Sequence, residues 1–185
     1  MNTPVRPAAP ADATAIARIY NAGIAGREAT FETRERTPQE VAAWLGARGP
    51  LLVAERAGEV VGFARVTAYS DRDVYAGVGE YGIYMDEAAR GSGLGTRLLE
   101  ALLAAAEAAG YHKLTSKLFT SNAASLALAR RRGFREVGLH VRHARLDGEW
   151  RDVLVVERLL GEAAADYDKR PAARVAKHSG QTRSP

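Results

Sequence analysis

The sequence predicts an α/β (α+β) domain: a mixed, mostly antiparallel sheet of seven strands with flanking helices. Three observations predict it. Strand and helix signals follow one another in the order β-α-α-β-β-β-α-β-α-β-β. Hairpin turn signals at Ala57-Gly58 and Asp147-Gly148 join consecutive strands at both ends of the order. The sheet is then not all parallel, which argues against a doubly wound dinucleotide fold. Finally, a short apolar strand (Ile83, Tyr84, Met85) runs through acidic Asp86-Glu87 into the loop Arg90-Gly-Ser-Gly-Leu-Gly95, and an alanine/leucine helix follows. Strand, glycine loop and helix together can hold a phosphorylated ligand. The glycines let backbone approach closely, and the first helical turn offers unpaired N–H groups and the positive end of the dipole.

Taken in order, Val5-Arg6 before Pro7 and Pro10 reads as a first edge strand. Ile16, Ile19, Tyr20 and Ile24 fall at helical spacing over residues 11–24, and Gly23 and Gly26 end that helix. Residues 25–36 have no period and form a long loop. Its Phe31 is either a plug onto the core or a wall of a pocket. Thr37-Pro38-Gln39-Glu40 is a helix start, with Thr37 as cap, Pro38 in the first helical position and Glu40 closing a capping box. Val41, Trp44 and Leu45 are its apolar face. Leu51–Arg56 and Val60–Thr67 are strands. Residues 69–77 form a polar, aromatic loop before the strand that carries Glu80. Beyond the glycine loop, Leu98, Leu99, Leu102, Leu103 and Ala106 define one helix face, and Gly110 suits the position after its end. Lys113–Phe119 is a strand, 121–132 a short helix ended by Gly133, and Phe134–Arg145 and Trp150–Leu159 are long strands. The tail, 161–185, is rich in alanine, charge and proline without periodicity and is expected to be mostly disordered. The expected organisation is one domain over 1–160 followed by that tail.

Totals narrow the chemistry. The 185 residues are 46% hydrophobic and 26% charged, enough for a core and a solvated surface. The chain has no cysteine, which excludes disulfides, thiolate zinc sites and a cysteine acyl-enzyme. No apolar run approaches the roughly 20 residues of a membrane span, and no signal peptide is visible, so a cytoplasmic protein is expected. The net charge is +4, but positive and negative residues are interspersed. The densest basic run, Arg130-Arg131-Arg132, reads as a solvated helix end, so no nucleic-acid partner is expected.

The loop Arg90-Gly-Ser-Gly-Leu-Gly95 lacks the Gly-Lys-Ser/Thr of a phosphate loop and the Gly-x-Gly-x-x-Gly spacing of a dinucleotide fingerprint. By itself it could be no more than a tight strand-to-helix turn. However, Arg90-x-x-Gly93-x-Gly95 after an apolar strand resembles the acetyl-CoA pyrophosphate loop of the GNAT N-acetyltransferases. Asn122-Ala-Ala-Ser125 ahead of Gly133-Phe134 resembles the second signature of that superfamily, and the element order is similar over about residues 3–160. Within the superfamily, Thr30-Phe31-Glu32-Thr33, Pro38-Gln39-Glu40 with Trp44, Leu52-Val53-Ala54-Glu55, Arg72-Asp-Val-Tyr75, Glu80 and Gly148-Glu-Trp150-Arg-Asp152-Val resemble the phosphinothricin acetyltransferase branch. His112-Lys113-Leu114, Asn122-Ala-Ala-Ser125 and Leu146-Asp-Gly-Glu-Trp150 look most like the arsinothricin N-acetyltransferases in it.

The resemblance implies a central pair of parallel strands, 79–85 and 113–119, that splay apart around acetyl-CoA as co-substrate, with no metal. It implies direct acetyl transfer to the α-amine of a small amino-acid-like substrate such as phosphinothricin, methionine sulfoximine or arsinothricin, as resistance or detoxification. Cofactor contacts would come from Ile83, Tyr84 and Met85 on the strand, from Arg90, Gly91, Ser92, Gly93, Leu94, Gly95 and Thr96 on the loop, and from Asn122 and Ser125. Glu80 would be the general base, because an α-ammonium must lose a proton before it can attack. Arg72 would bind a substrate anion and Phe31 would shape the pocket. His140 and His143 read as structural. The superfamily tyrosine that protonates the leaving thiolate has Ala129 in its place, so the thiolate leaves unassisted or Tyr111, another tyrosine or water substitutes. A homodimer is expected by resemblance. The alternatives are a peptide or protein N-terminal acetyltransferase and a non-catalytic acyl-CoA-binding sensor.

Overall fold

The computed structural model describes residues 5–168. Seven strands form one sheet in the order β1-β2-β3-β4-β5-β7-β6. They are β1 (Val5–Pro7), β2 (Leu51–Arg56), β3 (Glu59–Ala68), β4 (Val78–Met85), β5 (Lys113–Phe119), β6 (Arg135–Leu146) and β7 (Glu149–Leu159). Every neighbouring pair is antiparallel except β4 and β5, which run parallel. The mixed sheet expected from the two hairpins is therefore present, and it is mostly antiparallel. The β6–β7 hairpin folds back so that β7, not β6, pairs with β5.

The parallel pair is short. Only Val78, Gly79 and Glu80 align with Lys113, Leu114 and Thr115. Beyond them, Tyr81 to Met85 pair with β3 on one side only, and Ser116 to Phe119 pair with β7 on one side only. The sheet thus opens into a V whose apex lies at Glu80 and Thr115. At that apex the Ser116 hydroxyl donates to the Tyr81 carbonyl at 3.0 Å, satisfying a buried backbone group the ladder no longer reaches.

Helices cover both faces. On one, α1 (Ala13–Ala25) and α2 (Pro38–Ala42) pack Ile16, Ile19, Tyr20 and Val41 against Val53 and Phe63. On the other, α3 (Leu94–Ala108) buries Leu98, Leu99 and Leu102 completely against Ala54, Ala64 and Leu114. Each such leucine contributes about 1.5–3 kcal/mol of apolar burial. The short helix α4 (Ala123–Arg131) closes the lower end.

Several local expectations are met to within a residue. The Thr37 hydroxyl accepts from the Glu40 N–H at 3.2 Å, and the Glu40 carboxylate accepts from the Thr37 N–H at 2.8 Å, with Pro38 beginning α2. The helix narrows into a 3-10 turn at Ala43–Gly46, which carries Trp44 against Tyr20 at 5.3 Å. At the start of the tail expected to be mostly disordered, Gly161–Asp168 forms a further helix, α5. Small alanines at 163–165 give it high helix propensity, which the absence of an apolar period concealed. Residues 169–185 lie outside the described residues.

Candidate active site

The opening between β4 and β5 is a cavity of about 660 Å3. Its walls are β4 residues Glu80 to Tyr84, β5 residues Ser116 to Phe119, Arg65 and Thr67 of β3, the 28–33 segment of the long loop, Asn122, Ser125 and His143. Three features of the sequence hold those walls in place. Asn21 on α1 bonds both the carbonyl and the N–H of Arg36 at 2.9 Å, fixing the end of the 25–36 loop. Phe31 from that loop packs edge-on against Phe119 at 4.6 Å, joining a small cluster with Leu146 and Val153. It is both a plug onto the core and a wall of the cavity. Asn122 caps α4 by accepting from the Ser125 N–H at 3.0 Å and donates to the Glu28 carbonyl at 3.0 Å.

Glu80 sits at the apex, half-exposed. Its carboxylate meets the Lys117 ammonium from β5 at 2.8 Å, and Thr67 lies opposite it on β3. Lys117 was not singled out from the sequence. Residue 117 alternates to the same face as Lys113 and Thr115, but only the closeness of β4 and β5 at the apex brings it to Glu80. A carboxylate paired with an ammonium and open to a cavity can exchange a proton with whatever amine occupies that cavity.

The glycine loop lies at the far end of β4. Gly93, with φ +81, occupies the left-handed region and begins α3; a residue with a Cβ would be strained there. Nothing stands within 4 Å of the Cβ positions of Gly91 and Gly93, so their outer side is open. The Ser92 hydroxyl donates to the Ala89 carbonyl at 2.6 Å, which tightens the turn and aims the first N–H groups of α3 outward. Arg90 is exposed beside them. Below, Arg18 grips Asp86 with two bonds of 2.7 and 2.9 Å and anchors the end of β4.

Other expected groups fall elsewhere. Arg72 does not line the cavity. It is exposed in the 69–77 loop, where its guanidinium lies 5.7 Å from the Tyr75 ring, and it forms no ion pair with Asp71 or Asp73. That loop is exposed and polar, so nothing folds it inward. Tyr111 cannot replace the missing acid from its present position. It is buried in the core, its ring 3.0 Å from where a Cβ on Gly79 would stand, and its hydroxyl has no partner among the described residues. Ala129 is itself buried in that core. Tyr81 and Tyr84 do reach the cavity, but burial pushes both phenols far above their ordinary range. His143 lines the cavity beside Phe31 and stands 3.2 Å from His140, ring nitrogen to ring nitrogen. A bulge in β6 with Arg142 at φ +51 turns the two histidines together, and no glycine marks it in the sequence. Among the described residues no group of three or more metal-ligating side chains occurs.

Known proteins resemble this chain over most of its length. The acetyltransferase (GNAT) family matches residues 18–134. An L-methionine sulfoximine/L-methionine sulfone acetyltransferase of Pseudomonas paraeruginosa is 34% identical over 85% of this chain and 94% of its own. Among solved structures, a phosphinothricin acetyltransferase from Sinorhizobium meliloti in complex with AcCoA is 30% identical, with TM-score 0.83 over 97% of this chain and 98% of the other. A ribosomal-protein-alanine N-acetyltransferase from Brucella melitensis is 32% identical, with TM-score 0.81 over 85% and 99%. The sheet that opens beside a glycine loop and the matches along most of the chain lead to one conclusion: this protein belongs to the acetyltransferase (GNAT) family and is an acetyl-CoA-dependent N-acyltransferase.

Proposed function

We propose that the protein transfers the acetyl group of acetyl-CoA directly to the α-amine of a small amino-acid-like acceptor of the phosphinothricin, methionine sulfoximine or arsinothricin kind. The observation that carries this reading is the cavity at the opened sheet with Glu80 at its apex, on a strand that runs on into the glycine loop. The acceptor class is supported by what the Pseudomonas and Sinorhizobium proteins are named for.

The residues present fit acetyl-CoA. Backbone groups of Ile83, Tyr84 and Met85 that face the gap have no β5 partner and can bond an amide-bearing arm. The amides over 90–96, at the head of the 15-residue helix α3, suit a pyrophosphate. Asn122 and Ser125 flank the slot from α4. Acetyl-CoA supplies an activated acyl group with a good leaving thiolate. The chain's own part is to position the acceptor and to move its proton. Glu80 takes that proton, directly or through a water, and Lys117 neutralises the carboxylate beforehand and holds its rotamer. Phe31 walls the acceptor in. With Ala129 buried and Tyr111 in the core, His143 is the ring best placed to supply a proton at the cavity wall.

Incubating the protein with acetyl-CoA and a panel of such amino acids, and following free thiol, tests the reading. Release with at least one member is expected; none with any member overturns the acceptor claim. The likeness to the Brucella enzyme favours one second reading, a peptide N-terminus as acceptor, which a matched set of amino acids and short peptides in the same assay decides. Two further expectations are kept as proposals. The protein works in the cytoplasm; no described helix is long and apolar enough to cross a membrane. It forms a homodimer through the edge strand β6, where Val137, Leu139 and Val141 are exposed. A monomer by light scattering at micromolar concentration would sink the dimer.

A further inference from the structure

Arg65 of β3 lines the cavity two residues from Thr67 and stands opposite Gly82 in the β3–β4 ladder. Gly82 has no side chain of its own, and the Tyr84 ring leans beside it, 3.3 Å from where a Cβ would stand. Arg65 and Glu80 are diagonal neighbours on the same face of that ladder, with Cα atoms about 7–8 Å apart. The guanidinium lies over Trp44, its central carbon 3.7 Å from the ring centroid. Trp44 is carried there by the 3-10 turn after α2.

Of the other charged side chains lining the cavity, Glu28 is exposed and forms no ion pair among the described residues, and the rest are paired. Lys117 pairs with Glu80 at 2.8 Å, and Glu32 pairs with Arg36 at 2.7 Å. Among the described residues no carboxylate pairs with Arg65. Burial, helped by the like charge of Arg36, pushes its guanidinium below the ordinary range, against the opposing effects of Tyr20, Tyr84 and Glu32. Arginine does not give up its proton in proteins, so it remains a cation. A half-buried cation without a partner is costly, and an arginine held over an aromatic ring keeps its fork of donors ready for a planar or tetrahedral oxyanion.

We propose that Arg65, rather than Arg72, is the residue that selects the acceptor, by binding a compact oxyanion carried a few bonds from the acceptor amine. This inference rests on the proposed acetyl-transfer reading for where the amine lies. It separates the two acceptor classes, because a free amino acid brings an α-carboxylate beside its amine and a peptide N-terminus does not. The oxyanion is the α-carboxylate or a side-chain phosphinate-like group, and the choice of probes tells these apart.

The experiment is calorimetric binding to the full chain saturated with CoA, which needs no turnover. The probes are L-methionine sulfone, with only the α-carboxylate; its α-amide, with no anion; and L-phosphinothricin, with both anions. Arg65→Met keeps an apolar stem on Trp44 and removes the charge; Arg65→Lys restores a point charge. For Arg65→Met, affinity for the sulfone is expected to fall roughly 10- to 150-fold, with the amide unaffected and partial recovery in Arg65→Lys. A loss confined to phosphinothricin assigns Arg65 to the side-chain oxyanion. Unchanged affinity for both anionic probes, an equal loss for the amide, or no saturable binding of either anionic probe by the wild type overturns the proposal. Because the guanidinium forms no ion pair, Arg65→Met is expected to hold or raise the melting temperature, whereas a structural role would lower it. Thiol release read on the same proteins keeps the two questions apart. Turnover with Arg65-independent binding refutes this inference alone, and Arg65-dependent binding without turnover refutes the acetyl-transfer reading alone.

Discussion

At the scale of single residues, Glu80 and Lys117 meet at 2.8 Å at the apex of the opened sheet. Glu80→Gln keeps the shape and removes the proton acceptor. Its kcat at neutral pH is expected to fall about 100- to 10,000-fold with the KM for acetyl-CoA unchanged. Full activity would remove Glu80 from the proton path. Glu80 was legible because a motif names it. Lys117 and Arg65 were not, since each owes its place to a neighbour on another strand: Lys117 to the parallel register with β4, Arg65 to Gly82 opposite and Trp44 above. Arg72 shows the converse. Residue type and motif single it out as an anion ligand, and it lies in an exposed loop outside the cavity, a direction that depends on how the loop folds and not on local sequence.

At the scale of elements, α3 and its loop are the best-specified piece of the chain. Five apolar residues on one face fix the helix against the sheet, and Gly93 at φ +81 sets where it starts. Gly93→Val places a β-branched residue in the left-handed region. It is expected to cost about 1–3 kcal/mol in urea unfolding and to raise the KM for acetyl-CoA more than the KM for the acceptor. An unchanged KM for acetyl-CoA would detach the loop from cofactor binding. The helix was legible because a buried face repeats along the chain. The bulge in β6 was not: Arg142 takes φ +51 without a glycine, and tertiary pairing with β7 overrides the local preference of the chain. Helix α5 escaped for a related reason, since short alanine-rich segments carry propensity but no period.

At the scale of the whole molecule, hairpin signals gave the strand order at both ends of the sheet, while its closure on the first edge depends on a buried polar node. Asp12 accepts from Arg6 at 2.7 and 2.9 Å and from the Ala9 N–H at 2.7 Å, and Arg6 also reaches Glu55 of β2. These bonds, led by those from Arg6, hold the Asp12 carboxyl below its usual range against the opposing effect of burial. A depressed carboxyl stabilises the fold above its unfolded value of about 3.9, and the contribution is lost as pH falls through the folded value. Asp12→Asn is therefore expected to cost about 1–3 kcal/mol at pH 7 and to flatten the decline in melting temperature below pH 4. A variant with the same pH profile as the wild type would show that this node does not carry the acid sensitivity.

The three-residue pairing of β4 and β5 also has a consequence in time rather than in space. Along residues 81–85 backbone N–H groups point alternately to β3 and into the gap. Deuterium should therefore enter this stretch with a beat of two, fast at amides facing the gap and slow at those laddered to β3. Addition of CoA should silence the fast beat and leave the slow one unchanged. Amide-resolved exchange would then record the cofactor as an eighth strand, one that arrives and departs.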